Sequence, residues 1–338
     1  MVRPPGRAGR AGTVPAQPRR RLPHLRRRPA LPTHELGGEE ILLLSHAKRK
    51  AKAAGAPIPV VWQSLADATV HVRRSQVAMV AAAPGVGKSA FTLNLAIRSG
   101  CRGIYMSADS DEVTQAHRAA AILTGDRVQE IEAAYKSGKG EKYDRALKDF
   151  TRIWFDFDAA PSLAALEEEV YAYAYMYGQW PELLVLDNLA NVFDESGGEG
   201  FTSLESTMSF LVDLARKTEA AVVVLHHVVG DAESGDQALK LKDIRGKITK
   251  LQTLVLGLAY TETFTPQGRA LGVYVLKNRS GKASAAGDLM IELNADLDRM
   301  LINDMESPGG GVPDEVWEEF KAAVEVEGAS ERRRYEEV

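Results

Sequence analysis

The chain has 338 residues, 45 % of them hydrophobic and 26 % charged, which describes a globular protein with room for one large or two modest domains. No apolar run approaches the ~20 residues needed to cross a bilayer. The one cysteine, Cys101, excludes a disulfide framework and a cysteine-based zinc site, so a reducing cytoplasm with no membrane partner is the expected setting.

Residues 1–36 form an Arg/Pro-rich tail; within 1–34 there are nine arginines, seven prolines and no acid. Such a segment buries too little apolar surface to fold. It reads as a solvated tail or an upstream extension, with a nucleic-acid-binding arm as the competing reading. Without those nine arginines, 33 basic residues face 46 acidic ones, so a body near −13 lies behind the net charge of −4. Any DNA contact by that body must come from local basic loops, not from the overall field.

Residues 37–57 read as a linker and a basic amphipathic helix, with Ile41, Leu42, Leu43 and Leu44 ahead of Lys48, Arg49, Lys50 and Lys52. From about Val60, strand and helix patterns alternate. Strands are expected at Val77–Ala83, Gly103–Ser107, Ile153–Phe157, Leu183–Leu186 and Ala221–Leu225. Helices are expected at Phe91–Ile97, Glu112–Leu123, Val128–Lys136, Tyr143–Phe150, Leu163–Tyr177 and Phe201–Thr218. Three further strands, Thr253–Tyr260, Leu271–Leu276 and Met290–Leu293, follow with few helices between them. Buried apolar strands alternating with helices predict an α/β fold with a mostly parallel central sheet and a β-rich C-terminal part, over residues 58–304. Residues 305–338 read as a flexible Gly/Pro break, a short helix at Asp314–Glu325 and a charged tail.

The most informative segment is Ala82-Ala-Pro-Gly-Val-Gly-Lys-Ser89, set between a predicted strand and a predicted helix. Glycines let the backbone curl so that successive N–H groups and a helix N-terminus converge on an anionic phosphate. Ala83, Pro84, Gly85, Val86, Gly87, Lys88, Ser89 and Ala90 are thus expected to hold a nucleotide. Lys88 would reach the outer phosphates, and the Ser89 hydroxyl is positioned for Mg²⁺. The loop opens with Ala82 where the usual pattern has Gly.

Leu183-Leu-Val-Leu-Asp187 reads as a buried strand delivering a carboxylate, the second element of a phosphate-loop site, with Asp187 on the metal side opposite Ser89. Hydrolysis also needs a carboxylate that orients the attacking water. Asp109, just past the strand that follows the loop helix, is the first candidate, with Asp111 and Glu112 as neighbours that would otherwise cap the next helix. Val222-Val-Val-Leu-His-His227 ends a further strand on two histidines, whose side chains point to opposite faces and so suit one metal poorly. A polar residue there would sense the γ-phosphate. The following loop carries Lys240, Lys242, Arg245, Lys247 and Lys250, which suit phosphate-backbone contact or form a solvated charge run. Lys277 and Arg279 close a later strand, and a guanidinium suits the charge that develops on a γ-phosphate.

The ordered set Ala82–Ser89, Tyr105–Asp109, Leu183–Asp187, Leu225–His227, Asp243–Gly246 and Lys277–Gly281 resembles the ATPase domain of DnaB-type replicative helicases, of the RecA-like superfamily, over roughly residues 58–302. Ser110–Arg118 and Phe157–Ser162 resemble that family's pattern after its catalytic acid. The resemblance implies ATP and Mg²⁺ as cofactors, Lys88, Ser89 and Asp187 in nucleotide and metal binding, Asp109 as catalytic carboxylate and His227 as γ-phosphate sensor. It further implies Arg279 with Lys277 as an arginine finger and companion acting on a neighbouring subunit. Three departures stand out: Asp109 where the family has Glu, His226-His227 as in small RepA-type plasmid and some phage helicases, and no match to the N-terminal helical domain that recruits primase.

The expected protein is a DnaB-like hexameric helicase that translocates on single-stranded DNA in replication, with a primase or helicase loader as further partner. A RecA- or RadA-type recombination ATPase shares the same core, and a regulatory RecA-like ATPase that binds no DNA is the alternative of another class.

Overall fold

The computed structural model describes residues 53–193, 201–244, 246 and 250–305. The expected tail 1–36, most of the linker 37–57, the segment 306–338, and the basic residues Arg245 and Lys247 lie outside the described residues. The helical elements run α1 (Gln63–Asp67), α2 (Lys88–Arg98), α3 (Glu112–Thr124), α4 (Val128–Lys136), α5 (Glu141–Asp149), α6 (Leu163–Tyr177) and α7 (Phe201–Thr218). The strands are β1 (Val77–Ala82), β2 (Gly103–Ser107), β3 (Ile153–Asp156), β4 (Leu183–Asp187), β5 (Ala221–His227), β6 (Leu254–Thr265), β7 (Gly268–Asn278), β8 (Met290–Asp296) and β9 (Leu301–Asp304).

All nine form one sheet, in the order β3-β2-β4-β5-β1-β6-β7-β8-β9. The six from β3 to β6 are parallel; β7, β8 and β9 then add antiparallel. Every residue of β1, β2 and β4 is buried, as continuous apolar runs in a parallel sheet require. Helix α2 packs on β1, β4 and β5 and touches β9, while α7 packs on β1 and β5. Trp62 stacks on Phe91 of α2 with ring centroids 4.3 Å apart and donates its indole N–H to Ile302 O at 2.8 Å, tying the first helix to the last strand across α2.

Several elements depart from the sequence pattern for identifiable reasons. Helix α2 starts at Lys88, three residues before the apolar periodicity, because Gly87 takes a left-handed turn (φ 105°) at its N-cap. Strand β3 stops at Asp156, whose side chain accepts from Asp158 N at 3.0 Å and bends the chain away. β6 and β7 outrun their apolar cores as a hairpin closed at Thr265 and Gly268. Its outer half, at Glu262–Thr265, mixes exposed and half-buried positions. β9, which the pattern leaves out, is four residues long and pairs with β8.

Candidate functional site

Parallel strands deliver their C-terminal ends to one edge of the sheet, where ligands of open α/β folds bind. In β1–β5 pairing Ala82 lies beside His227, and in β2–β4 pairing Ser107 lies beside Asp187. The phosphate loop after β1, the turn carrying Asp109 after β2, Asp187 at the end of β4 and His227 at the end of β5 therefore share this edge, on four adjacent strands.

The loop itself is built around backbone that only glycine adopts without strain: Gly85 has φ 79° and Gly87 φ 105°. A Cβ on Gly87 would also come within 3.3 Å of Leu297. Gly235, on the loop after β5, approaches so closely that a Cβ would meet Val86 at 2.7 Å. Tyr260 of β6 donates its hydroxyl to Gly85 O at 3.3 Å. Pro84 and Gly85 are exposed, whereas Ala83, Val86 and Ala90 are buried, so the loop's outer turn faces solvent on a packed base.

Lys88 is only 8 % exposed. Burial lowers its ammonium below the ordinary range, while the carboxylates of Asp187 and Asp109 act to raise it. Asp187 is 1 % exposed, and burial lifts its carboxyl above the usual range against hydrogen bonds from Ser89 and Tyr105 and the charge of Lys88. Its Oδ2 accepts from Tyr105 Oη at 2.9 Å, and Tyr105 Oη lies 3.2 Å from Thr92 Oγ1 of α2. Its Oδ1 is buried with no hydrogen-bond partner among the described residues. An open carboxylate oxygen beside a serine hydroxyl is a fitting donor set for a hydrated Mg²⁺, a cation that prefers one or two protein oxygens and keeps its waters.

The turn that presents Asp109 is stiff, though Asp109 itself is exposed. Ser107 Oγ donates to Ser110 O at 2.8 Å and accepts from Gln115 Nε2 at 2.9 Å, and Arg118 donates to Ser110 Oγ at 3.0 Å. Asp111 is the N-cap of α3, accepting from Thr114 N at 2.9 Å and from Thr114 Oγ1 at 2.8 Å. Glu112 is exposed in the first turn of that helix. Two side chains not singled out in the sequence join the cluster. One is the Tyr105 hydroxyl, hidden in an apolar strand. The other is Asn188, directly after Asp187, which donates to Asp109 Oδ2 at 2.8 Å and lies 3.0 Å from His227 Nε2.

Lys277 and Arg279 are not part of this cluster. Lys277 pairs with Val255 and Asn278 with Leu254, which pairs in turn with Ala78 near the start of β1. They sit at the opposite edge of the sheet, where Lys277 Nζ and Arg279 both donate to Lys250 O, at 3.0 and 3.1 Å. The connection from β5 to β6 thus runs from one edge to the other, as joining two parallel strands requires. Along it, Lys240, Lys242 and Lys250 are exposed. No helix among the described residues is long and apolar enough to cross a membrane.

Comparison with known proteins gives the same architecture. Residues 66–233 match an AAA domain family. The chain is 38 % identical over 255 residues to the gene 65 protein of Mycobacterium phage L5, covering 75 % of this chain and 94 % of that protein. It is also 38 % identical over 231 residues to the gene 65 protein of Mycobacterium phage D29, covering 68 % and 99 %. Among solved structures, an isolated ATPase domain superposes with a TM-score of 0.65 at 15 % identity, covering 78 % of this chain and 96 % of that one. A DnaB-like replicative helicase, solved with a view to its interactions with primase, superposes with a TM-score of 0.65 at 16 % identity, over 79 % and 68 %. The chain belongs to the AAA-domain family that includes these mycobacteriophage gene 65 proteins, and it carries the RecA-like P-loop ATPase fold of DnaB-type helicases.

Proposed function

We propose that this protein is an ATP-dependent DNA helicase of the DnaB-like hexameric type, translocating on single-stranded DNA during replication. In this reading the loop Ala83–Ala90 holds the phosphates of ATP, with Lys88 on the outer ones, and Ser89 and Asp187 hold Mg²⁺, which supplies charge neutralisation at the transferring phosphate. Asp109 orients the attacking water and His227 senses the γ-phosphate. Arg279, with Lys277, serves the site of the neighbouring subunit, and Lys240, Lys242, Arg245, Lys247 and Lys250 contact the DNA backbone. A primase or helicase loader is the expected protein partner.

The observation that carries this reading is the division between the two sheet edges. Lys88, Ser89, Asp109, Asp187 and His227 gather at one, while Lys277 and Arg279 lie at the other, beside the end of the basic connection. A single subunit then holds a nucleotide site whose finger arginine lies out of reach, and a ring of like subunits supplies one from next door.

The test is particle shape together with turnover. With ATP, Mg²⁺ and an oligo-dT strand, closed six-fold rings in electron micrographs, DNA-stimulated hydrolysis and unwinding of a forked duplex are expected. Open filaments on DNA without unwinding would favour a recombination ATPase. Monomers that ignore DNA would favour a regulatory one.

A further inference from the structure

Asn188 joins a carboxylate on one strand end to a histidine on another, and no role assigned above uses it. Its side chain is 2 % exposed. The orientation of its amide follows from its partners: Oδ1 accepts from Ala190 N at 2.7 Å, so the NH₂ group faces the cluster. That group donates to Asp109 Oδ2 at 2.8 Å and lies 3.0 Å from His227 Nε2. An amide nitrogen carries two hydrogens and accepts none. With one hydrogen on Asp109, the other goes to His227 Nε2, which must present a lone pair. His227 is therefore neutral in this arrangement, with its ring hydrogen on Nδ1.

A nitrogen that accepts from Asn188 cannot at the same moment donate to a phosphate oxygen. For His227 to engage a γ-phosphate through Nε2, the ring must turn or its hydrogen must change nitrogen, and either change breaks the bond to Asn188. The same amide holds Asp109. Ring position and carboxylate position consequently change together, through one side chain anchored at Ala190.

We propose that Asn188 is a positioning residue that couples the γ-phosphate sensor His227 to the water-orienting carboxylate Asp109, so that Asp109 reaches its working geometry only when His227 has left the amide for a phosphate. This rests on the ATPase reading above and adds to it the part that links sensing to chemistry.

The test is a double-mutant cycle on the full chain, scored as kcat with and without oligo-dT. Asn188→Ala and His227→Ala should each lower kcat about 10–100-fold, the range for partners that orient a working side chain. The double variant should be no slower than the worse single one, because each removes the same link. Binding of a fluorescent ATP analogue should persist in all three. Losses that multiply in the double variant would overturn the bridge while leaving the ATPase reading intact. Wild-type turnover in both Asp109→Asn and His227→Ala would overturn the assigned roles and the bridge with them.

Asn188→Asp gives an independent readout, because it keeps an acceptor for Ala190 N but has no hydrogen to donate. In ¹⁵N spectra of imidazole nitrogens, with the His227 signal assigned by its loss in His227→Gln, the wild type without nucleotide should show hydrogen on Nδ1. The Asn188→Asp variant should move that hydrogen to Nε2. An Nε2–H in the wild type, or a tautomer unchanged by Asn188→Asp, would refute the coupling.

Discussion

The hydroxyl of Tyr105 donates to Oδ2 of Asp187 at 2.9 Å, from the middle of β2 to the end of its neighbour β4. Burial and the adjacent carboxylate push the Tyr105 phenol well above its ordinary range, so its hydrogen stays on oxygen and the donor role is fixed. With Oδ2 occupied, Oδ1 is the oxygen left for a metal's water shell. Tyr105→Phe should keep the fold, lose about 1–3 kcal/mol of stability from the unpaired buried acceptor, and raise the half-saturating Mg²⁺ for hydrolysis about 10–100-fold. A Mg²⁺ titration of ATPase alongside nucleotide binding in EDTA checks this. An unchanged Mg²⁺ midpoint would mean that Asp187 needs no such orientation.

The carboxylates near the end of β2 should separate cleanly by function. Asp109 is held by Asn188, whereas Asp111 spends its oxygens on Thr114 at the start of α3. Asp109→Asn should bind ATP and hydrolyse it orders of magnitude more slowly, since an amide keeps the size and loses the base. Asp111→Ala should lower the melting temperature and leave kcat nearly unchanged. A dead Asp111→Asn or Glu112→Gln beside an active Asp109→Asn would move the water-orienting role along the turn.

Much of this architecture is legible in the sequence because its signals are local. Gly103–Ser107 and Leu183–Asp187 are short apolar runs between polar ends, a pattern that leaves few readings besides a buried parallel strand. The phosphate loop is contiguous, and its glycines are demanded by backbone angles at Gly85 and Gly87. Asn188 is different. Its partners Asp109 and His227 lie 79 and 39 residues away, and they meet it only because β4 is inserted between β2 and β5 in the sheet. No periodicity encodes that order. Tyr105 is hidden for another reason: an aromatic residue in a strand reads as core, and it is core, apart from one oxygen atom. The short strand β9 shows the same limit, since Leu301–Asp304 is recruited by pairing with β8 and by the Trp62 and Asn94 contacts around Ile302, all distant in sequence.

Single-stranded DNA should stimulate the ATPase through the connection between β5 and β6. Lys240, Lys242 and Lys250 are exposed along it on an otherwise acidic body. Replacing these together with Arg245 and Lys247 by Ala should weaken oligo-dT binding and flatten the slope of log K against log salt by about 0.7 for each lost phosphate contact. Unchanged affinity and slope would locate DNA binding elsewhere, and deletion of the arginine-rich residues 1–34 would then be the next measurement.

Arg279 should act on the neighbouring subunit's nucleotide. Its strand ends at the sheet edge opposite the phosphate loop, and the six residues of β1 separate the two edges. At about 3.3 Å per residue that is roughly 17 Å, beyond the reach of an arginine side chain that is already donating to Lys250 O. A role in its own site is thereby excluded by length, and a role in a ring is not. Arg279→Ala should bind ATP and assemble, yet hydrolyse about 10³-fold more slowly or worse. Arg279→Lys should not restore the rate, because an ammonium lacks the planar fork. Mixing decides the question. Lys88→Ala and Arg279→Ala are each expected to be inactive, but rings containing both will have some interfaces where an intact loop meets an intact arginine. Partial return of ATPase on subunit exchange is the expected result. Silence in rings shown to be mixed, or full activity of Arg279→Ala alone, would leave Arg279 as a structural clamp on the Lys250 carbonyl.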